Sequence, residues 1–419
     1  MKDFPYLEYL KVRNFKSFNE IDLKLKQFNV IIGANASGKS NFVQIFSFLK
    51  DIREQGLDNA ISLQGGIEYL CNFKSGQEQN LMMDLRIVLP DIHPLRVQLK
   101  KRKNFDLYYT GASWKFELRL GKRTGFKIIQ DSWKIDVVAY ERDDSKHANP
   151  LKGYWKITSR EGTVHYDMHM QQEGILSDKD LRVPWLRDKI TSKKAILEYI
   201  SILDYVCPEI ADFFDYVAVY DFDPKLAKRA AELTGKLELN NDGSNLAIIV
   251  KDVISNRDHR RKFSNLLTDL LPFVKSVSTE NIADKSILFT LTENYFKKHS
   301  LPASFISDGT INITALIAAL YFQSNRLTVI EEPERNIHPS LISKVMEMMN
   351  DVSTQRQIVI TTHNPEIVRY AGLDHLFTVR RNPKGHSEIM PSSDQQEIRI
   401  FLENEMELED LYVQNILGG

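Results

Sequence analysis

The sequence predicts an α/β fold with a mixed sheet, an antiparallel β subdomain and an inserted helical lobe. Three observations predict it. A short apolar run, Asn29–Ile32, leads into a glycine loop and then into a helical pattern. A β-rich stretch from about 80 to 170 alternates apolar and polar residues, and a helical stretch follows. The last third returns to alternating strand and helix patterns.

Leu7 to Val12 reads as a strand, and Ile21–Leu25 alternates as a half-buried strand does. After Lys39, apolar residues fall at Phe42, Ile45, Phe46 and Leu49, one face of a helix. Leu81–Leu89, Trp114–Leu120 and Tyr154–Ile157, separated by Gly111, Gly121 and Gly162, predict an antiparallel meander. From about 184 to 273 the spacing turns helical, with Ile196, Tyr199, Ile200 and Leu203 on one face. A charged helix is expected over about 246 to 271. Ile311–Leu320 is apolar nearly all round, so it predicts a buried helix. Leu327–Ile330 and Ile358–Ile360 predict buried strands, and Leu341, Val345, Met346 and Met349 mark the helix between them. Asn364 and Pro365 supply an N-cap and an N1 proline for one more helix. The expected division is residues 1–175, a first lobe with the glycine loop and the meander; 176–275, a helical insertion; and 276–419, a second lobe.

The chain has 419 residues, 42% hydrophobic and 26% charged, as an ordinary soluble globular protein has. A net charge of −1 excludes a global field that would draw it to nucleic acid or membrane. Cys71 and Cys207 are too few for a disulfide framework and fit no metal spacing. Met1–Pro5 has no signal-peptide core, and no apolar run approaches the roughly 20 residues of a membrane span. The expected location is cytoplasmic.

Gly33-Ala34-Asn35-Ala36-Ser37-Gly38-Lys39-Ser40 fits the P-loop pattern G-x-x-x-x-G-K-[ST], in its required place between strand and helix. Its N–H groups and the helix N-terminus suit phosphate oxygens. Lys39 supplies a positive charge for the β and γ phosphates, and Ser40 a hydroxyl for Mg²⁺. The expected ligands are therefore a nucleoside triphosphate and Mg²⁺. Glu331 and Glu332 end an apolar strand, where side chains enter a ligand crevice. Two adjacent carboxylates can divide the work, Glu331 toward the Mg²⁺ shell and Glu332 toward an attacking water. Ser307-Asp308-Gly309-Thr310 precedes the buried helix and fits either a phosphate contact or a plain N-cap. His363 fits either a γ-phosphate contact or a structural role.

Taken together, these pieces resemble the ATPase head of the ABC/SMC superfamily, in its compact RecF-like group of bacterial AAA-family ATPases. Lys11–Phe18 resembles that group's N-terminal strand motif, and Gly33 to Asn41 its Walker A. Asn241–Ala247 resembles a segment typical of the group, and Ser307–Thr310 its signature. Glu331–Pro339 resembles the Walker B and D-loop, Thr361–Pro365 the switch-histidine motif, and Leu411–Gly419 the C-terminus. The resemblance implies that Gly33, Asn35, Ala36, Ser37, Gly38, Lys39, Ser40 and Asn41 hold one ATP. It further implies that Ser307 and Gly309 close over the ATP of a second copy, that Glu332 is the base, and that His363 contacts the γ-phosphate. The expected partner is a second copy of the chain in a two-fold dimer around two ATP, with a higher oligomer left open.

The sequence departs from the wider superfamily at Glu331, where Asp is usual, at Asp308, which replaces a Gly, and at Arg335-Asn336 in the D-loop. Gln77, Gln79 and Gln130 are all candidates for the Q-loop. From the segments between the motifs and after His363, neither long SMC arms nor the Toprim nuclease of OLD-type proteins is expected. The expectation is an ATP-driven switch that controls a separate effector such as a nuclease, in a bacterial anti-phage or toxin-like module. The alternative is a RecF-like repair ATPase that itself binds DNA. An ATP-bound scaffold and a self-contained nuclease are further options. Lys100–Lys103, Arg257 with Arg260–Lys262, and Arg380-Arg381 with Lys384 are basic clusters that fit either nucleic acid or solvated surfaces. His165 and His169 share one face of an expected strand and are not expected to bind metal.

Overall fold

The computed structural model describes residues 4–72, 74, 79–90, 95–98, 104–121, 125–141, 150–160, 163–171, 193–199, 207–233, 235, 237–283, 285–296, 299–394 and 413. Its strands in chain order are β1 (Tyr6–Phe15), β2 (Phe18–Lys24), β3 (Phe28–Ile32), β4 (Leu81–Val88), β5 (Leu95–Gln98), β6 (Asn104–Gly121), β7 (Gly125–Glu141), β8 (Leu151–Arg160) and β9 (Thr163–Met170). They continue with β10 (Val217–Tyr220), β11 (Ala231–Glu232), β12 (Val274–Ala283), β13 (Ser286–Glu293), β14 (Ser300–Pro302), β15 (Leu327–Glu331), β16 (Gln357–Thr362), β17 (Leu376–Arg381) and β18 (Ser387–Pro391).

The uninterrupted apolar runs become parallel strands. β10, β15, β16, β3 and β17 lie side by side in that order, all parallel. Every residue of β3 and β16 is buried, as strands covered on both faces must be. Neighbouring positions within one strand serve opposite cores. Val329 and Val359 join the core that holds Phe42 and Phe46 of α1 (Lys39–Gln55), while Ile330 and Ile360 join the other. α1 thus covers one face of the sheet.

The remaining helices are α2 (Leu57–Leu63), α3 (Ile67–Leu70), α4 (Pro208–Asp215), α5 (Pro224–Ala227), α6 (Leu246–Ser255), α7 (Arg257–Leu270), α8 (Asp308–Tyr321), α9 (Ile342–Val352) and α10 (Pro365–Ala371). Buried residues of α6, α8 and α9 fill the core on the face opposite α1. Residues 310–320 of α8 are all buried, which explains its lack of a polar stripe.

Beyond β17 the sheet becomes chiefly antiparallel, in the order β18, β2, β1, β4, β6, β7, β8, β9. β4 alternates buried and half-buried residues, as a strand with one packed face does. Trp114 and Trp133, on β6 and β7, stack with centroids 5.6 Å apart. Trp114 Nε1 donates to Asp131 at 2.8 Å. Asp131 is fully buried, and burial pushes its carboxyl up to about 7. A second sheet, β11–β13–β12 with β14 on β13, adjoins the core under α6 and α7.

Three local outcomes differ from the sequence pattern. The single charged helix expected over 246–271 is two helices, because Asn256 is extended and caps α7 through Asp258 N and His259 N. Ile196 lies in one 3₁₀ turn, Ile196–Glu198, while Ile200 and Leu203 fall outside the described residues. The stretch 176–275 is not helical throughout: Val217–Tyr220, a buried run of four, pairs with β15 in the central sheet. The Lys100–Lys103 cluster, and the tail 411–419 apart from Val413, also fall outside the described residues.

The two halves of the sheet are joined near Gln357. Its amide accepts from Leu7 N at 2.9 Å and donates to Leu7 O at 2.8 Å and Lys26 O at 2.7 Å. Gln357→Leu strands these buried backbone groups, so it should lower unfolding stability by about 2–4 kcal/mol. Urea denaturation with an unchanged m-value checks this.

Candidate nucleotide site

The site forms where three parallel strands end together. Thr362 of β16 pairs with Ile32 of β3, and Glu331 of β15 pairs with Thr361. The residues after each strand therefore emerge at one level: the P-loop, then Glu332, then His363.

The P-loop is held from behind by the β17–β18 hairpin. A Cβ on Gly33 would lie 2.3 Å from Val379 O, and one on Gly38 2.2 Å from Ser387 Oγ. Gly38 also has φ +120° and Ala36 φ +63°, so the loop curls through left-handed geometry. Ser387 Oγ donates to Ser37 O, and Arg381 Nε donates to Ala36 O at 3.0 Å. Gly33, Ser37, Gly38 and Lys39 are buried, Asn41 is half-buried, and Asn35, Ala36 and Ser40 face solvent.

Lys39 Nζ donates to Gly33 O at 2.7 Å and Ala34 O at 3.0 Å. Burial lowers the pKa of Lys39, and the charges of Glu332, Glu331 and Glu334 oppose that shift. Ser40 Oγ donates to Glu331 Oε1. Burial pushes the Glu331 carboxyl up, against the Ser40 contact. A hydroxyl and a carboxylate meeting beside a phosphate cradle fit Mg²⁺, which takes one or two protein oxygens and completes its shell with water and phosphate.

Glu332 stands in left-handed geometry, φ +46°, with its N–H on Thr361 O at 2.9 Å. This unusual backbone turns the side chain toward His363, whose Nδ1 lies 2.6 Å from Glu332 Oε1. Arg335 reaches Glu332 Oε2 with Nη2 at 3.2 Å. Burial pushes the Glu332 carboxyl up, but His363 and Arg335 more than offset it and hold it below its ordinary value. Glu334 is buried, accepts from Thr362 Oγ1, and is raised by burial.

Thus the P-loop, Glu331, Glu332 and His363 come together. Ser307 and Gly309 make their contacts within α8 and with the loop after β15. Ser307 caps α8, accepting from Thr310 N at 3.2 Å. A Cβ on Gly309 would lie 2.4 Å from Asn336 O, so the glycine permits close packing against the D-loop. Lys228 pairs with Asp308.

Of the glutamines, Gln77 is outside the described residues, Gln130 bonds Ser132 in β7, and Gln79 accepts through its carbonyl from Asn14. Arg380 faces Glu388 at 3.9 Å, and Arg381 is engaged with the P-loop. His169 packs on Tyr154 at 4.8 Å, and among the described residues no group of three or more His, Cys, Asp or Glu could hold a metal. No described helix is long and apolar enough to cross a membrane. A cleft of about 1000 Å³ runs from Asn41 and Gln44 of α1 past Lys16, Tyr69 and Arg381.

Sequence reasoning did not assign roles to Ser387, Asp221 or Glu334, and it read Arg381 only as part of a basic cluster, whereas its guanidinium holds the P-loop. The signal for Glu334 lay in its place two residues after the paired acids. Ser387 had none, because it meets Ser37 across 350 residues of chain.

Strand order, P-loop and acid-tipped neighbouring strand define a P-loop fold of the kind found in ABC/SMC heads. The same fold occurs in the Smc head domain with an extended coiled coil, bound to the C-terminal domain of ScpA, from Pyrococcus furiosus. That likeness has a TM-score of 0.52 and 14% identity, covering 96% of this chain and 100% of the other. An SmcHead bound to the C-winged helix domain of ScpA is similar at TM-score 0.50 and 15% identity, over 92% and 97% of the two chains. Residues 28–369 match the family described as "AAA domain, putative AbiEii toxin, Type IV TA system", and the chain belongs to that family. No curated protein matches it.

Gly38→Ala adds a Cβ against Ser387 to a residue at φ +120°. It should destabilise the fold by about 1–3 kcal/mol. Adding Ser387→Gly should recover part of the loss and leave the backbone strain, as thermal and urea unfolding would show.

Proposed function

We propose that this chain binds and hydrolyses ATP as a molecular switch. The observation that carries the proposal is the convergence on adjacent strands of Lys39, the Ser40–Glu331 contact and the Glu332–His363 pair. The P-loop N–H groups and Lys39 hold the phosphates. Ser40 and Glu331 would hold Mg²⁺, which when bound offsets charge on the phosphate oxygens. Glu332 accepts a proton from the water that attacks the γ-phosphorus, and the P–O bond to the ADP oxygen breaks. His363 orients Glu332 and faces the γ-phosphate.

The switch acts as a two-fold dimer around two ATP, in which Ser307 and Gly309 of one copy complete the other copy's site. Family resemblance supports this arrangement, and so does the exposed Ser307 at the start of α8. The output is a separate effector. The Smc heads described above carry ScpA, and the family description names a toxin–antitoxin system, so a nuclease-like or toxin-like partner in a cytoplasmic defence module fits.

Glu332→Gln should bind Mg·ATP and dimerise while turnover falls by about 10²-fold or more. Unchanged phosphate release in that variant sinks the assignment. Lys39→Ala should lose both nucleotide binding and turnover.

A second reading, direct binding of duplex DNA, is favoured by the exposed Arg257, Arg260 and Arg261 on α7. If it holds, duplex affinity should fall steeply with salt and be lost in Arg260→Glu/Arg261→Glu. Absence of duplex binding at low salt excludes it.

A further inference from the structure

Three donors converge on the carboxylate of Glu332. His363 Nδ1 meets Oε1 at 2.6 Å, and Arg335 Nη2 and Nε meet Oε2 at 3.2 and 3.4 Å. A carboxylate offers about four acceptor sites, and this side chain is only 19% exposed. A base needs an accessible lone pair facing the water it deprotonates. With Arg335 in this position, little of Glu332 is left for that water.

Arg335 also has a second anchor. Its Nη1 lies 2.8 Å from Asp221 Oδ1 and 3.4 Å from Phe222 O. Asp221 follows β10, the strand beside β15, and its N–H is tied to Asn241 O at 2.9 Å. The contact with Asp221 is shorter than either contact with Glu332. The guanidinium can therefore leave Glu332 without losing its ionic partner.

The main chain of Arg335 belongs to another element. Asn312 of α8, 3% exposed, donates to Arg335 O at 2.5 Å. Gly309 of the same helix packs directly on Asn336 O, and Asn336 is held at φ +62°. A shift of α8 therefore moves the backbone that carries Arg335.

We propose that Arg335 is a latch on Glu332: its guanidinium blocks the base in the single protomer, and displacement of α8 when a second copy closes pulls it off Glu332 and leaves it on Asp221 alone. The proposal rests on Glu332 being the base. It ties hydrolysis to assembly, because the helix that meets the partner's nucleotide is also the helix that releases the base. Arg335 is a positioning residue here and takes no part in proton transfer.

The test measures steady-state phosphate release by the full chain at saturating Mg·ATP, with kcat and KM determined separately. In dilute protein, where two copies seldom assemble, Arg335→Ala should raise kcat on the order of fivefold for the loss of one weak charge-assisted contact, with KM little changed, and the gain should shrink as the protein concentration rises. Asp221→Asn should act in the opposite direction, since Arg335 then has only Glu332 to hold. Arg335→Lys should fall between parent and Arg335→Ala. Arg335→Gln keeps the stem length and serves as an independent variant if the alanine variant is unstable. Turnover in Arg335→Ala or Arg335→Gln at or below the parent, or Arg335 and Asp221 variants that shift kcat in the same direction, overturns the latch alone. Absence of any Lys39-dependent turnover in parent and variants removes the hydrolytic reading, and the latch with it.

Discussion

The register of β15, β16 and β3 is the constraint on which the other features depend. These strands are parallel, fully paired and buried almost throughout, so their ends cannot slide without moving every side chain to the wrong face. Their common level brings a cation, two carboxylates and an imidazole from positions 39, 331, 332 and 363 into one neighbourhood. A slip of one residue would point Glu331 away from Ser40.

That neighbourhood is electrostatically expensive. Lys39 is 6% exposed, and Glu331, Glu332 and Glu334 all feel the cost of desolvation. Neighbouring charges and donors offset the cost unevenly. Glu332, between His363 and Arg335, ends below its ordinary value, while Glu331 and Glu334 end above theirs. The difference follows from the partners: Glu332 has an imidazole and a guanidinium beside it, while Glu331 and Glu334 each have a hydroxyl. Left-handed backbone at Ala36, Glu332 and Asn336 lies in these same loops, where the surrounding sheet can hold such strain.

The D-loop joins two parts of the molecule that differ in kind. On one side it continues β15 and carries the residues beside Glu332. On the other it is packed against α8, through Gly309 and Asn312. α8 is buried along nearly its whole length, so it passes on a displacement as a rigid body. This gives a physical route from α8 to the residues around Glu332.

The P-loop, the acid-tipped strand, the buried helix over 311–320 and the place of His363 after a buried strand were legible in the sequence. Each is a local pattern: a glycine spacing, an apolar run of strand length, a capping residue. The antiparallel meander was legible for the same reason. The break at Asn256 was missed because apolar spacing continues across it, while one capping side chain decides the geometry. The sequence by itself determined which groups can do chemistry, since residue type and short-range spacing carry that information. Only the tertiary structure decided which of them meet. It put Ser387 behind the P-loop, Asp221 beside Arg335, and Arg335 on Glu332. Those encounters depend on strand order and on hairpins hundreds of residues apart, which no local pattern encodes.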